Sequence, residues 1–506
     1  MIDKKSPLFI QVTAFVCGMA IMAMEIIIGR MLAPFFGTSL FVWTNLIGVV
    51  LISLSIGYYA GGKIADKSPD INILLKMILA AGIFFPAMSF ALKPVLLTLL
   101  PKLIMASVTV AAASFVSAAV ILALPLIMLG ASSPFLIKIL VGQKADVGSA
   151  AGSISAINTI GSILGTFLPT FWLIPTFGAR NSILIISSIL VLFGSLGLGK
   201  KKDKVAAIAL LTIVILFPHS GLVKPLDNLI AEAESPYQFI QVLQDKQDNR
   251  YMIINEGWGT QSIYNKNKLL TGFYYDYYNL LPFFLEKKEP VKILILGLAG
   301  GTIGHQLNYF FKDRVQLEAV EIDEKVIELS RRFFDLDQLP MRIYNNDARL
   351  FLYQTPRQYD IIIVDAYQNE NYIPWTMTTR EFWEQIKKKL SPNGLVASNI
   401  ISFAPRPELL AAIQNTQAKV FEHTYLTPLS DGIIRNNLVI SGRQVLPIKE
   451  LRKLVDQKEL NEIADQFALQ TTEIKFNPDF VLLTDDKAPT ELLTDRMLFS
   501  SVTNSN

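Results

Sequence analysis

Three acids, Glu321, Asp347 and Asp365, stand at or just beyond the ends of short apolar runs that read as strands: Leu317–Ile322, Met341–Tyr344 and Tyr359–Val364. Ligands of open parallel sheets bind outside the carboxyl ends of the strands. Three acids in register at successive strand ends therefore mark a polar site. Upstream, Lys292–Asp323 (KILILGLAGGTIGHQLNYFFKDRVQLEAVEID) opens with Ile293–Leu296, short and apolar enough for a buried parallel strand. Gly297, Gly300 and Gly301 follow, and Ile303, Leu307 and Phe310 then recur at helical spacing. Strand, glycine turn, helix, strand, acid is the nucleotide-binding half of a doubly wound fold. The glycines let the backbone pass close to a ligand, and an acid about 20 residues on can hold ribose hydroxyls.

The elements that position these groups occupy the second half of the chain. A linker is expected over about 219–233, then Glu234-Ser235-Pro236-Tyr237-Gln238. Alternating stretches Phe239–Leu243, Tyr251–Asn255 and Thr260–Tyr264, separated by polar turns, predict a small antiparallel β unit. A helical Tyr274–Leu285 joins it to the nucleotide-binding core, and Glu324–Phe334 is a further helix. The domain division read from the chain is 1–220, 221–290 and 291–506.

The first half is different in kind. The 506 residues are 51% apolar, and the excess lies almost entirely before residue 220. Segments at 8–28, 40–62, 73–92, 104–130, 150–173 and 180–198 are each near the ~20 residues that cross a bilayer core. Gly161-Ser162-Ile163-Leu164-Gly165 supplies the small residues that let helices pack closely in lipid. Lys63, Lys67, Lys76, Lys138, Lys144 and Lys200–Lys204 follow alternate segments, which places the N-terminus in the cytoplasm of a cell-membrane protein. Val205–Phe217 is short for a span, and 205–223 reads either as a crossing or as an interfacial segment; the supply of a nucleotide-like ligand favours the cytoplasmic side for the globular half. Glu25 within the first segment is either a functional group or a partner of Arg30. Gly57–Asp66 and the later Gly-rich segments look like one half of a major-facilitator transporter. A net charge of +3 gives no nucleic-acid surface, one cysteine excludes an internal disulfide, and three scattered histidines argue against zinc.

Ser235-Pro236-Tyr237-Gln238, Gly257 with Gln261, the glycine turn, Val320-Glu321-Ile322-Asp323, Asn346-Asp347-Ala348 and Ile363-Val364-Asp365-Ala366 come in the order of the motifs of the polyamine aminopropyltransferases (spermidine synthases). Residues 234–400 resemble that family, and the whole chain resembles its membrane-fused bacterial version, which also has a stretch like Leu483-Thr484-Asp485-Asp486-Lys487-Ala488-Pro489. The resemblance implies a multi-spanning helical domain followed by a Rossmann-like α/β domain of the S-adenosylmethionine-methyltransferase type, with the small β unit before it. It implies transfer of an aminopropyl group from decarboxylated S-adenosylmethionine to an amine, without a metal. Gln238, Gln261, Gly297, Gly300, Gly301, Glu321, Asp347 and Ala348 would hold the donor. Glu321 would take the ribose hydroxyls and Asp347 the adenine amino group. Asp365 would stand at the reacting centre. The aromatic cluster Phe273–Tyr278 reads as packing, or with Tyr275 facing the amine as a catalytic group.

The chain departs from the soluble members at three acids: Gly300 replaces one, Gln368 a second, and Tyr275-Asp276-Tyr277 lacks a glutamate that Asp276 or Glu370 could replace. S-adenosylmethionine-dependent methyl transfer and a non-catalytic nucleoside-binding sensor or transporter are the alternatives. Expected partners are a small-molecule amine and the lipid bilayer; oligomeric state is open, a homodimer included. Asp323 reads as a surface cap or salt bridge, and Asp485 and Asp486 as caps of a helix near Pro489. Trp375 reads as part of a lid or as an anchor.

Overall fold

Long apolar runs with few charges make the described residues of the first half largely helical. In the computed structural model the described residues are 6–36, 40–87, 110–143, 146–198, 226–255, 259–286, 289–368, 371–403, 407–429 and 434–503. Contacts divide the chain into two units, Met1–Pro225 and Leu226–Asn506. The first contains α1 (Pro7–Phe36), α2 (Leu40–Lys67), α3 (Ile71–Ala87), α4 (Val110–Gly130), α5 (Ser132–Val141), α6 (Val147–Leu168) and, after a π turn, α7 (Ile174–Leu198). Among the described residues, four stretches are long and apolar enough to cross a membrane: Pro7–Phe36, Val42–Lys67, Ala112–Val141 and Val147–Leu198.

The segments expected at 150–173 and 180–198 lie in one continuous run whose break is Gly178, at φ 77° and ψ 163°. The run 205–223 and the lysines at 200–204 lie outside the described residues. Helices α1 and α6 meet at their backbones. A Cβ on Gly161 would lie 2.2 Å from the Phe15 carbonyl oxygen, and one on Gly165 2.1 Å from that of Met19. Large apolar side chains such as Leu51, Phe171 and Leu196 point outward.

The second unit has two sheets. Strands β1 (Leu229–Glu234), β2 (Phe239–Gln244), β3 (Arg250–Ile254) and β4 (Thr260–Tyr264) form an antiparallel meander in that order. Strand β1 lies where a linker was expected: Leu229–Glu234 pairs along Phe239–Leu243 and satisfies an edge that would otherwise be bare. The remaining strands are β5 (Val291–Leu296), β6 (Val315–Glu321), β7 (Met341–Asn345), β8 (Tyr359–Val364), β9 (Leu390–Phe403), β10 (His423–Pro428), β11 (Ile434–Gly442) and β12 (Thr472–Ile474). Their order is β12-β10-β11-β9-β8-β5-β6-β7, parallel from β9 to β7 and antiparallel beyond.

Period-two alternation divides the core. Ile293, Ile295, Ile361 and Ile363 pack on one face with Leu307, whereas Leu294, Leu296, Ile362 and Val364 pack on the other with Phe382 and Trp383. Because β5 has β6 on one side and β8 on the other, the chain reverses direction across the sheet at β5. The cleft at its carboxyl end is the topological switch point, where such sheets bind ligands.

Candidate active site

The glycine turn is built to stay close to β8. Gly297 has φ 94°, and a Cβ there would sit 2.2 Å from the Asp365 carbonyl oxygen. Only glycine meets both conditions. Every N–H from 297 to 301 already has an acceptor. Gly297 donates to the Val320 carbonyl, Gly301 to that of Leu298, and Gly300 to Ser262 Oγ at 2.9 Å. Leu298 and Ala299 donate to Glu321 Oε2 at 3.0 and 3.3 Å. A turn whose donors are all satisfied internally is no phosphate cradle of the kind that binds dinucleotides. It suits an adenosyl ligand without phosphate.

Glu321 is buried, and burial raises its carboxyl while the N–H groups of Asp323, Leu298 and Ala299 oppose the shift. Its Oε1 accepts one bond, from Asp323 N–H at 3.0 Å, so a lone pair remains for a ribose hydroxyl. Asp323 is not the surface cap expected. It is buried, caps the helix Glu324–Phe333 through Lys325 N–H, and accepts from Ser235 Oγ at 2.6 Å. The Gln238 side chain bonds it too. Asp323 thus ties the β unit to the sheet and holds Gln238 beside Glu321. Ser262 and Thr302, joined at 2.9 Å, make a second tie that brings the β4 neighbour Gln261 to the same region.

Asp347 caps the helix Ala348–Gln354, accepting from Leu350 N–H at 2.8 Å, and remains exposed. Ala348, the first residue of that helix, is half-buried beside it. Gly257 and Glu370 lie outside the described residues.

Asp365 follows β8 directly. Its Oδ2 accepts from Tyr274 Oη at 3.0 Å and its Oδ1 from Asn399 Nδ2 at 3.3 Å. Burial pushes the carboxyl up to about 6, against both hydrogen bonds. The tyrosine on Asp365 is therefore Tyr274, not Tyr275. Tyr275 is buried with its hydroxyl on the Thr260 carbonyl at 2.8 Å. The two rings lie against each other with centroids 4.0 Å apart, but only Tyr274 turns its hydroxyl to the acid. Asp276 is no replacement for the missing glutamate. Its buried carboxylate accepts from Thr271 N–H and Oγ1, Gly272 N–H and Gln306 Nε2. Asn399 gave no signal in the sequence; its role comes from strand pairing across β8 and β9.

The segment after Asp365 is held by a strap from the C-terminal region. Arg349 forms a bidentate pair with Asp485, at 2.9 and 2.5 Å, and Thr379 Oγ1 donates to the same carboxylate. Arg349 holds the Asp485 carboxyl below its usual range. Asp485 is thus an ion-pair partner rather than a helix cap; the last helix starts at Thr490. Arg380 N–H donates to the Leu483 carbonyl, Tyr372 bonds Asp495, and Thr378 and Thr490 share a hydrogen bond at 3.0 Å. Trp375 stands half-exposed within the strapped segment.

The spermine/spermidine synthase domain model matches residues 280–430. A probable polyamine aminopropyl transferase of Bifidobacterium longum is 30% identical over 321 residues, covering 57% of this chain and 69% of that protein. A polyamine aminopropyltransferase of Vibrio vulnificus is 28% identical over 280 residues, covering 53% of this chain and 91% of its own. A solved structure of a probable spermidine synthase from Corynebacterium glutamicum aligns with 52% of this chain and 97% of its own, at TM-score 0.41 and 19% identity. Identity at this level, carried over more than two thirds of the Bifidobacterium protein, places this chain in the polyamine aminopropyltransferase family, as a transferase enzyme.

Proposed function

We propose that this chain is a membrane-bound aminopropyltransferase that moves an aminopropyl group from decarboxylated S-adenosylmethionine to an amine and releases methylthioadenosine. The observation that carries the reading is Asp365, a half-buried base held by Tyr274 and Asn399, against a glycine turn whose N–H groups already have acceptors. Glu321 Oε1 takes a ribose hydroxyl, Asp347 the adenine amino group, and Gln238 and Gln261 the flank of the donor. The neutral amine nitrogen attacks the carbon beside the sulfonium. The C–N bond forms as the C–S bond breaks, the sulfur keeps the electron pair as a neutral thioether, and Asp365 accepts the amine proton. Holding the two reactants in line supplies much of the remaining acceleration.

Residues 1–220 form the transmembrane domain in this reading, 221–290 the linker and small β unit, and 291–506 the catalytic domain. Four apolar helices of spanning length and their outward-facing side chains support the bilayer assignment. Retention in the membrane pellet after an alkaline carbonate wash is expected, and release into the supernatant would remove it.

Mass spectrometry of the detergent-purified full chain tests the chemistry. Decarboxylated S-adenosylmethionine with an amine panel should yield methylthioadenosine and an acceptor heavier by one aminopropyl group. S-adenosylhomocysteine made from S-adenosylmethionine would instead identify a methyltransferase, a reading that the missing acid at Gly300 supports.

The pH profile is a second test. Amines of pKa near ~10 gain attacking form tenfold per pH unit below that value. The slope of log kcat/KM should therefore steepen from about one to about two below pH about 6, where Asp365 becomes protonated. Tyr274→Phe removes a bond to the ionised carboxylate and should move that break upward. Tyr275→Phe should leave the break in place and cost about 1 kcal/mol of stability through its lost bond to Thr260. Equal shifts in both variants would contradict the assignment of Tyr274.

A further inference from the structure

We propose that Asp485, which touches no substrate in the reading above, is a positioning residue: through Arg349 it fixes where Asp347 stands relative to Glu321, and so sets how strongly the site prefers adenine. This rests on the aminopropyltransferase reading, in which Glu321 takes the ribose and Asp347 the adenine amino group.

Asp347 lies between two anchors. On the strand side, Asn345 Nδ2 donates to the Glu321 and Ile322 carbonyls, each at 3.0 Å, and Asn346 N–H donates to the Glu321 carbonyl at 3.1 Å. Asn346 Oδ1 accepts from Asp347 N–H at 2.9 Å. These bonds tie the acid's backbone to the strand end that carries Glu321. On the other side the chain enters the helix Ala348–Gln354, which has only 7 residues. So short a helix has little stability of its own, and its direction follows from what grips it. Phe351 and Leu352 are buried on one face. Arg349 holds the other: its guanidinium donates to both oxygens of Asp485, at 2.9 and 2.5 Å, and to the Thr376 carbonyl at 3.0 Å. Asp347 Oδ1 is taken by the cap bond from Leu350 N–H at 2.8 Å, so Oδ2 is the oxygen that meets the ligand. Any turning of the helix displaces it.

Asp485 is the fixed end of this linkage. Leu483 is fully buried, and its N–H donates to Thr416 Oγ1 at 3.1 Å. Thr484 and Lys487 exchange backbone bonds at 3.1 and 3.0 Å, closing a tight turn that presents Asp485. Asp485 N–H donates to Glu381 Oε2 at 3.0 Å, and its Oδ1 accepts from Thr379 Oγ1 at 2.7 Å. A bidentate arginine–carboxylate pair fixes orientation as well as distance. The next residue, Asp486, is exposed in the same turn.

Calorimetry on the full-length protein in detergent compares methylthioadenosine with methylthioinosine, whose 6-oxo group repels a carboxylate where the amino group donates to it. The unmodified protein should bind the adenosine about tenfold or more tightly than the inosine. Asp485→Asn should reduce that preference to about threefold or less, because the adenosine loses more than the inosine. Arg349→Met should do the same, and the double variant should be no worse than Arg349→Met alone, since two groups acting through one pair are not additive. Asp486→Asn removes the same charge from the same turn and should keep the preference. The ratio is read within each variant, so a partly unfolded sample lowers the amount bound and not the ratio. A preference that Asp485→Asn leaves unchanged, or that Asp486→Asn lowers equally, overturns the inference and leaves the donor site standing. An unmodified protein that binds neither nucleoside, or both equally, overturns the role of Asp347 and the inference with it.

Discussion

Asp365→Asn is expected to lower turnover by about a thousandfold or more, the upper part of the range for loss of a positioned general base. The variant keeps the shape of the side chain, so donor binding measured by calorimetry should change little. Stability gives an independent reading of the same residue. Burial raises the folded-state carboxyl from 3.8 to about 6, so the folded protein binds this proton more tightly than the unfolded chain. The associated stabilisation is complete below pH 3.8 and is lost as pH rises to about 6. At pH 7.5 the wild-type protein carries the cost of ionising a partly desolvated carboxylate, and the amide does not. The variant should therefore be more stable at pH 7.5 by about 1–2 kcal/mol, within what a shift of this size permits. The gain should shrink at pH 4.5. A variant that is inactive yet less stable at neutral pH would mean that Asp365 is a structural acid and not the base.

Gly297→Ala should do the most damage of any single methyl group in the catalytic unit. The new Cβ meets the Asp365 carbonyl oxygen at 2.2 Å and its carbon at 2.8 Å, and both are backbone atoms of a buried strand end. Neither can rotate away. The positive φ of 94° adds the strain of a left-handed L-residue. Together these should cost about 3 kcal/mol or more and abolish donor binding. Gly272→Ala is the matched control, because Gly272 has φ 78° but nothing within 4 Å of the added Cβ. It should cost about 1–2 kcal/mol from backbone strain alone. Equal losses for the two variants would show that the approach to Asp365 is looser than the geometry indicates.

Local patterning made the parallel half of the sheet readable. Strands β5 to β8 are short apolar runs closed by a glycine turn or an acid, and their boundaries lie within a few residues of the expected ones. Asp365 could be placed for the same reason, since a residue after a buried strand has one address in a doubly wound sheet. What escaped depends on contacts between distant residues. Tyr274 and Tyr275 are neighbours of the same type whose rings touch, and only their hydroxyl partners tell which one bonds the acid. Asp276 looked available because nothing nearby in sequence shows that Gln306, thirty residues on, will cover it. Strand β1 follows the turn residues Asp227-Asn228, but its run LIAEAE is poor in β-branched and aromatic residues and exists through its pairing with β2. Asp485 reads as a cap until Arg349, 136 residues earlier, is brought beside it.

The strap from Leu483 to Asp495 has a genetic consequence. It contributes none of the proposed ligand-touching groups, yet it fastens Arg349, two residues past the proposed adenine acid, and the segment that follows Asp365. A stop codon at position 483 would leave every proposed catalytic and donor-binding residue encoded and still remove what holds two of those regions in place. Such an allele would behave as a null, and extra copies of the truncated gene would not rescue it.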